Sequence, residues 1–283
     1  MNHENFVEPI KYKVSLTGST IRVYFNAGTS DIHKLLRQKK KRLKLDEVLY
    51  LWRQICSGMR YLHQFEYSHR DLKPENIVLS RKCNVIKILD LITAYSTSSS
   101  AYGLVGSPHY IAQEQAAQIS YDDKSADMWS LGVILYFLVR KDIPWGMAQK
   151  CDPEYVKYVL LSPVERLEHI QKNFSAENVG EFILRLFVVN PEGRWDIDEL
   201  FSDNWFGVSS VVQKLRSAER FMKSEAQCLI CETVWDRVCN YFKGLKADLR
   251  DKPVIGQIKR PCEQKHATYG FFAGIASMRE DFS

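Results

Sequence analysis

The sequence predicts an α+β fold in which a few short strands precede a mostly helical body. Two apolar runs at residues 10–14 and 21–25 flank a polar turn that contains Gly18, a pattern typical of a β-hairpin. From residue 45 onward, apolar side chains recur at spacings of three and four, which indicates amphipathic helices. Residues 125–139 are apolar on almost every face, and a helix of that kind belongs in the centre of a domain.

The remaining elements follow the first hairpin in chain order. A short helix is predicted over residues 31–36, with Ser30 or Asp31 near its cap. Further helices are predicted over residues 45–64, 164–171, 179–189 and 197–200. A second hairpin joins the runs 77–79 and 85–89, and residues 93–109 form a long loop without a regular period.

Composition is that of an ordinary globular protein and argues against several other classes. Of the 283 residues, 45% are hydrophobic and 26% are charged, enough for one or two domains with a real core. The net charge of +5 is mild, so no direct nucleic-acid binding is expected, because DNA-binding domains concentrate basic residues on one face. No signal peptide is visible, and no apolar run reaches the roughly 20 residues that span a bilayer. Seven scattered cysteines favour free thiols in a reducing nucleus or cytoplasm over a disulfide scaffold.

The strongest chemical signal lies between the long helix and the second hairpin, in the run His69-Arg70-Asp71-Leu72-Lys73-Pro74-Glu75-Asn76. This run resembles the catalytic loop of eukaryotic serine/threonine protein kinases; a merely solvated polar turn is the alternative. Phosphoryl transfer needs positioning, a base for the attacking hydroxyl, and cations that hold the spreading charge. The resemblance implies that Asp71 is the base, that Lys73 reaches the transferred phosphoryl group, and that Asn76 is a magnesium ligand. By the same resemblance, lysine at position 73 implies Ser or Thr rather than Tyr substrates.

A second motif follows the hairpin, where kinases carry Asp-Phe-Gly and this chain has Asp90-Leu91-Ile92. By resemblance the Asp90 carboxylate holds Mg²⁺ between the phosphates, since magnesium prefers hard oxygen ligands; an ordinary Asp at a strand end is the alternative. Ile92 is a departure, because a β-branched residue does not tolerate the positive φ that glycine allows. The sequence therefore predicts a stiffer or mis-set magnesium loop.

Later motifs match the rest of a kinase large lobe. Residues 106–114 resemble the end of an activation loop, with Gln113 where proline is usual. The resemblance implies that Glu114 pairs with Arg194, and that Asp127 of the central helix holds the backbone of the catalytic loop.

The resemblance also places an ATP site between the first hairpin and the catalytic loop. Six residues are assigned to ATP by position: Tyr24 beside adenine, Phe25 and Ala27 through their backbone groups, Asp31 at the ribose, Val78 as the pocket floor, and Glu75. ATP and Mg²⁺ are thus the implied cofactors, and protein hydroxyl groups are the implied substrates. The oligomeric state stays open.

Finer details resemble the DNA-damage checkpoint kinase 1 family, close to the calcium/calmodulin-dependent kinases. Asn2-His3-Glu4-Asn5 matches the segment that follows a small-lobe helix in that family, and residues 143–145, 189–191 and 203–206 match its large lobe. A role in checkpoint signalling is what this resemblance implies.

The resemblance covers residues 1–206 and implies a protein-kinase-like fold. Residues 1–25 are interpreted as a remnant of the N-lobe sheet, and residues 26–206 as the mostly helical C-lobe. Residues 207–283 are an unassigned, partly helical tail. The Gly-x-Gly-x-x-Gly loop and the Val-Ala-Ile-Lys type strand are absent from the sequence. A complete polypeptide of this kind is expected to bind ATP weakly and to expose an apolar groove on the sheet, whereas a truncated gene product would derive from an ordinary kinase. Two functions stay open, an active kinase and a non-catalytic kinase-like binding module.

Three weaker patterns are more often structural than functional. Cys228, Cys231, Cys239 and Cys262 have a spacing that zinc sites use, but ordinary thiols are favoured. The basic run at residues 37–44 is compatible with a nuclear signal or a docking patch, and a solvated linker is favoured. Residues 96–100 combine a flexible Ser-rich loop with candidate phosphorylation sites.

Overall fold

The computed structural model describes residues 3–15, 20–25, 28, 30–38, 42–80, 85–97, 101–117, 120–172, 177–203 and 206. The strands are β1 (Pro9–Val14), β2 (Ile21–Phe25), β3 (Tyr67–Ser68), β4 (Ile77–Leu79), β5 (Ile86–Ile88) and β6 (Tyr95–Ser96). The helices are α1 (Ile32–Gln38), α2 (Leu45–Gln64), α3 (Gln113–Ala116), α4 (Asp123–Arg140), α5 (Pro153–Leu160), α6 (Pro163–Gln171), α7 (Glu177–Leu186) and α8 (Ile197–Ser202). The predicted α+β fold with a mostly helical body is confirmed.

Several sequence-based predictions fall on residues that the structure does not describe. They concern residues 2, 16–19, 26–27, 39–41, 81–84, 98–100 and 204–205, and the tail 207–283 with its four cysteines. None of the described helices combines the length and the apolar character needed to cross a bilayer.

The first hairpin is an amphipathic ribbon with an uncovered apolar face. β1 and β2 pair antiparallel, with Tyr12 opposite Val23 and Val14 opposite Ile21, so these side chains share one face. Tyr12 is 71% exposed and Val14 is 52% exposed. The predicted exposed apolar surface is therefore present on these strands.

Helices α2 and α4 form the centre of the helical body. Trp52 of α2 is fully buried, and its indole N–H donates to the Leu131 carbonyl of α4 at 3.2 Å. Gly132 lets α4 approach the end of α7, since a Cβ there would lie 2.8 Å from the Phe187 ring. Because neighbours surround α4, its apolar residues point in every direction, as the sequence predicts.

Helix α5 is a feature that the sequence analysis missed. It is only eight residues long, too short to show a clear helical period. Its start does carry a local signal, because the Asp152 side chain accepts the Tyr155 backbone N–H at 3.0 Å and Pro153 occupies the first turn. Tyr155 and Tyr158 anchor α5 in the core against Trp145.

Backbone contacts attach the chain after the first hairpin to the second one. Leu79 donates its N–H to Ser30 at 2.9 Å, and Asp31 forms an antiparallel bridge with Val78. Gly28 passes so close to β4 that a Cβ there would lie 2.7 Å from the Leu79 carbonyl oxygen. The start of α1 is thereby held beside β4, which follows the catalytic loop directly.

Candidate active site

The buried carboxylate of Asp127 holds the backbone at the start of the candidate catalytic loop. Asp127 of α4 accepts the backbone N–H of His69 at 2.7 Å and that of Arg70 at 2.9 Å, using one oxygen for each. His63 of α2 lies 3.0 Å from the same side chain, which is almost fully buried. Hydrogen bonds to an ionised acceptor are stronger than neutral ones, so α4 fixes the path of the loop immediately before Asp71. The sequence-based role of Asp127 is confirmed.

Asp71, Lys73 and Asn76 converge at the end of this loop. The Lys73 ammonium lies 2.7 Å from Asp71 Oδ2, and the Asn76 amide donates to the Asp71 carbonyl at 2.9 Å. Ser107 Oγ donates to Asp71 Oδ1 at 2.8 Å and accepts from Lys73 at 2.7 Å. Each oxygen of the Asp71 carboxylate therefore accepts a hydrogen bond, and 14% of the side-chain surface remains exposed.

Ser107 is a site residue to which sequence reasoning gave no role. It reaches Asp71 because the preceding glycine lets the two segments touch. Gly106 has a φ of 105°, and a Cβ there would lie 2.5 Å from the Arg70 carbonyl oxygen. A glycine followed by a hydroxyl residue in a long Ser-rich and Gly-rich loop was the available signal.

Asp90 lies one residue from a backbone contact with the catalytic loop. The Leu89 N–H donates to the Asn76 carbonyl at 2.8 Å, and the Leu89 carbonyl lies 3.0 Å from His69 Nε2. Asp90 has a φ of 63° in the left-handed region, an uncommon conformation for a residue other than glycine. Its side chain is exposed and has no hydrogen bond or ion pair with the described residues.

The donor set around Asn76 and Asp90 fits magnesium. Because the Asn76 amide nitrogen binds Asp71, its amide oxygen remains for a cation, and Asp90 adds an exposed carboxylate. Both are hard oxygen donors, and Mg²⁺ commonly uses one or two protein ligands together with substrate phosphates. Within the described part of the chain, no three or more His, Cys, Asp or Glu side chains are grouped so that they could hold a metal ion.

A positive φ at Ile92, the premise of the predicted stiffer or mis-set magnesium loop, is not found. Leu91, Ile92 and Thr93 form one turn of 3₁₀-helix, and the Ile92 side chain is 43% exposed. Among the described non-glycine residues, positive φ angles occur at Glu66, Arg70, Asp90 and Lys141. The left-handed conformation therefore falls on Asp90 itself, two residues before the substitution, and Ile92 sits in a backbone that a β-branched residue can adopt.

The residues assigned to ATP divide into two groups. Asp31 caps α1 by accepting the Lys34 N–H at 2.7 Å, and Glu75 faces His33 of the same helix at 3.8 Å. Together with Val78, which bridges to Asp31, they cluster where α1 meets the catalytic loop.

The other assigned residues lie on or just after β2. Tyr24 is half-buried with the Lys11 ammonium 5.6 Å from its ring, and Phe25 is 41% exposed. Ala27 is outside the described residues. The roles of all six residues stay predictions.

Asp123 is a buried acid beside Arg70 of the catalytic loop, and the sequence analysis assigned it no role. Asp123 Oδ1 is 3.5 Å from Arg70 Nε, and the Arg70 Nη2 donates to the Tyr121 hydroxyl at 3.2 Å. Burial raises the pKa of Asp123 from 3.8 to about 6, although Arg70 acts in the opposite direction. At neutral pH Asp123 is therefore mainly ionised, although its burial makes that charge more costly than in water.

We expect Asp123→Asn to stabilise the protein at neutral pH but not in acid. Because the pKa of Asp123 is higher in the folded state, its contribution is fully favourable below about pH 4 and is lost as the pH rises through about 6. Asn resembles the protonated acid, so the free energy of unfolding should rise by about 1–2 kcal/mol at about pH 7.5, with little gain at about pH 4. Urea unfolding at both pH values measures this, and an equal change at both would contradict it.

A helical lobe that presents an acid, a lysine and an amide on one loop, with a further acid nearby, has the parts of a kinase-like phosphotransferase. The family model described as the protein kinase domain matches residues 1–206, and the chain belongs to the protein kinase family.

Curated relatives agree with this membership. The chain is 28% identical over 221 residues to the probable serine/threonine-protein kinase RTK1 of Saccharomyces cerevisiae, covering 72% of the chain and 34% of the relative. It is 31% identical over 211 residues to CBL-interacting serine/threonine-protein kinase 9 of Arabidopsis thaliana, covering 73% and 45%. It is 32% identical over 222 residues to serine/threonine-protein kinase SAPK4 of Oryza sativa subsp. japonica, covering 73% and 59%. The chain thus spans between about a third and three fifths of the length of these relatives.

Proposed function

We propose that this chain is a serine/threonine protein kinase that transfers the terminal phosphate of ATP to a protein hydroxyl with the help of Mg²⁺. One observation supports this most strongly: the Asp71 carboxylate, the Lys73 ammonium and the Ser107 hydroxyl form a closed triangle of hydrogen bonds of 2.7 to 2.8 Å. The Asp71 carboxylate is held in one orientation by Lys73 and Ser107, and part of its surface is still open to solvent. Such a group is suited to act as the base for an incoming hydroxyl. The kinase names of the relatives point to the same reaction.

Each residue of the triangle has a distinct part in the proposed reaction. Asp71 accepts the proton of the substrate hydroxyl, which orients that oxygen toward the phosphorus. Lys73 already lies beside Asp71, so its ammonium stabilises the charge of the phosphoryl group as it moves between the two oxygens. Ser107 keeps Asp71 Oδ1 occupied and so fixes the direction of the remaining lone pairs.

Asn76 and Asp90 would hold magnesium, which supplies charge neutralisation for the phosphates when it is bound. The Asn76 amide that binds the Asp71 carbonyl also connects this position to the base. The non-catalytic alternative loses one of its arguments, because Ile92 adopts an ordinary turn rather than a strained one.

A narrower hypothesis assigns the chain to DNA-damage checkpoint signalling. The resemblance of residues 143–145 and 189–191 to that family supports it, while the relatives named above carry other names. A damage-survival assay in cells that carry only the Asp71→Asn form would test this role, and survival equal to that of wild-type cells would contradict it.

The proposed reaction is tested by phosphate transfer from radiolabelled ATP to a library of Ser and Thr peptides. We expect incorporation with Mg²⁺ and its loss when EDTA removes the metal, because the Asn76 and Asp90 oxygens serve only through the cation. A Tyr-only library is the matched control and should stay unlabelled. Labelling that persists in EDTA, or that is absent with every peptide, would contradict the proposal.

A further inference from the structure

Gln113 replaces the usual proline with a side chain that makes a specific bond. The Tyr155 hydroxyl of α5 donates to Gln113 Oε1, which joins two parts of the chain that are 42 residues apart. Gln113 is the first residue of α3, and Ala112 precedes it as the cap. A proline at this position could not make the bond, so it is a property of this sequence.

Tyr155 is a fixed donor rather than a mobile surface group. It is only 2% exposed, and its ring packs edge-on against Trp145 at 5.2 Å and Trp129 at 6.2 Å. Its backbone N–H donates to Asp152 at 3.0 Å. Burial raises the pKa of Tyr155 above its ordinary value, so the hydroxyl keeps its proton. The position of Gln113 Oε1 is therefore set by the core.

A second contact holds the same stretch of chain, residues 106–113, which we call the substrate-facing segment. His109 Nδ1 lies 2.7 Å from the Gly146 carbonyl oxygen. Gly146 donates its own N–H to Asp152 Oδ2 at 2.8 Å, and Asp152 also caps α5. The contacts of His109 and Gln113 thus both lead to one short region, residues 146–155.

The substrate-facing segment borders the place where a hydroxyl must approach. Ser107 lies inside it and binds Asp71 directly, whereas His109 two residues later is exposed. The Tyr110 carbonyl accepts from Ser130 of α4 at 2.8 Å, which fixes the middle of the segment to the core. A polypeptide whose side chain reaches Asp71 therefore lies against the exposed side of residues 106–109.

We infer that Gln113 is a positioning residue for the protein substrate, acting through its bond to Tyr155; the inference rests on the proposed function. The bond fixes the end of the substrate-facing segment, and Ser130 and Gly146 fix its interior. The segment then presents one surface to the peptide and one orientation of Ser107 to Asp71. Loss of the Gln113–Tyr155 bond weakens peptide binding and leaves ATP binding unchanged.

Two substitutions remove the bond while sparing the backbone. Gln113→Pro suits the first position of a helix, where the missing N–H has no intrahelical partner. Tyr155→Phe keeps the packed ring and deletes the hydroxyl alone. Gln38→Leu and Tyr12→Phe serve as controls, because both positions are exposed and lie on α1 and β1. The double variant at 113 and 155 completes a mutant cycle.

Steady-state kinetics and amide hydrogen exchange of residues 106–113 are measured on the full chain. We expect each single variant to raise the peptide KM by at least about threefold with the ATP KM unchanged, and the double variant to match the singles. Exchange of the segment should accelerate in the same variants and not in the controls.

Unchanged peptide KM, equal effects on both KM values, or additive singles would overturn the inference. Amide hydrogen exchange of residues 106–113 does not depend on activity. It therefore distinguishes failure of the proposed function from failure of the further inference. If the wild-type chain transfers no phosphate while exchange still responds to both substitutions, the proposed function fails, but the role of the Gln113–Tyr155 bond in holding residues 106–113 is supported. If exchange does not respond, that role is refuted whatever the activity.

Discussion

Replacing Asp71 by Asn is expected to reduce phosphate transfer by about 10²–10⁴-fold, the usual contribution of a positioned base. Asn keeps the size of the side chain and can still accept from Ser107, whose hydroxyl lies 2.8 Å from Asp71 Oδ1. It removes the negative charge that takes up the substrate proton and that pairs with Lys73 at 2.7 Å. The loss should therefore fall on kcat, measured with saturating ATP and peptide.

A matched control separates loss of the base from general damage. Asp142→Asn changes an exposed aspartate whose Oδ1 accepts the Ile143 N–H, a bond that the amide oxygen of Asn can preserve. It should transfer phosphate at the wild-type rate. Equal rates in Asp71→Asn and the wild type would remove the catalytic role of Asp71, and with it the proposed reaction.

Replacing Glu114 by Ala is expected to lower the free energy of unfolding by about 3–5 kcal/mol, the cost of leaving a buried charge unpaired. The Arg194 guanidinium is completely buried and meets both Glu114 oxygens, at 2.6 and 3.2 Å. It also donates to the Ser125 carbonyl at 2.8 Å and to the Val188 carbonyl at 3.0 Å. Those neutral partners remain in the variant, whereas the one carboxylate that pairs with Arg194 among the described residues is lost, and the guanidinium cannot deprotonate.

Urea denaturation of the purified chain measures this effect through the transition midpoint at constant m-value. Glu192→Ala is the control, because Glu192 is exposed in the same loop as Arg194 and should change stability by less than about 0.5 kcal/mol. Glu114→Leu combined with Arg194→Met removes both charges and should cost less than Glu114→Ala. A Glu114→Ala midpoint equal to that of the control would show that the pair does not stabilise the fold.

Much of the fold could be predicted because long periodic patterns reflect packing directly. Helix α2 begins at Leu45 and ends at Gln64, the bounds that its apolar stripe predicts. The second hairpin pairs Ile77 with Ile88, as the two short apolar runs indicate. The Glu114–Arg194 pair was also predicted, although only through a family resemblance, since no local pattern relates residues 80 positions apart.

Other features depend on contacts that a sequence does not display. Ser107 joins the site only because Gly106 touches the Arg70 carbonyl, a meeting of two distant segments. The positive φ expected at the position of Ile92 occurs at Asp90 instead, because the surrounding fold decides which residue of a loop adopts the left-handed conformation.

Binding of Mn²⁺, a spectroscopic substitute for Mg²⁺, tests most directly whether Asn76 and Asp90 converge on a nucleotide-bound metal. Electron paramagnetic resonance counts free Mn²⁺ in the presence and absence of ATP, with wild type, Asn76→Ala, Asp90→Asn and the Asp142→Asn control. We expect nucleotide-dependent binding in the wild type and the control, and its loss in both site variants, because two protein oxygens suffice only together with phosphates. Equal Mn²⁺ binding in all four proteins, or none in the wild type with ATP, would contradict a magnesium–nucleotide site at these residues.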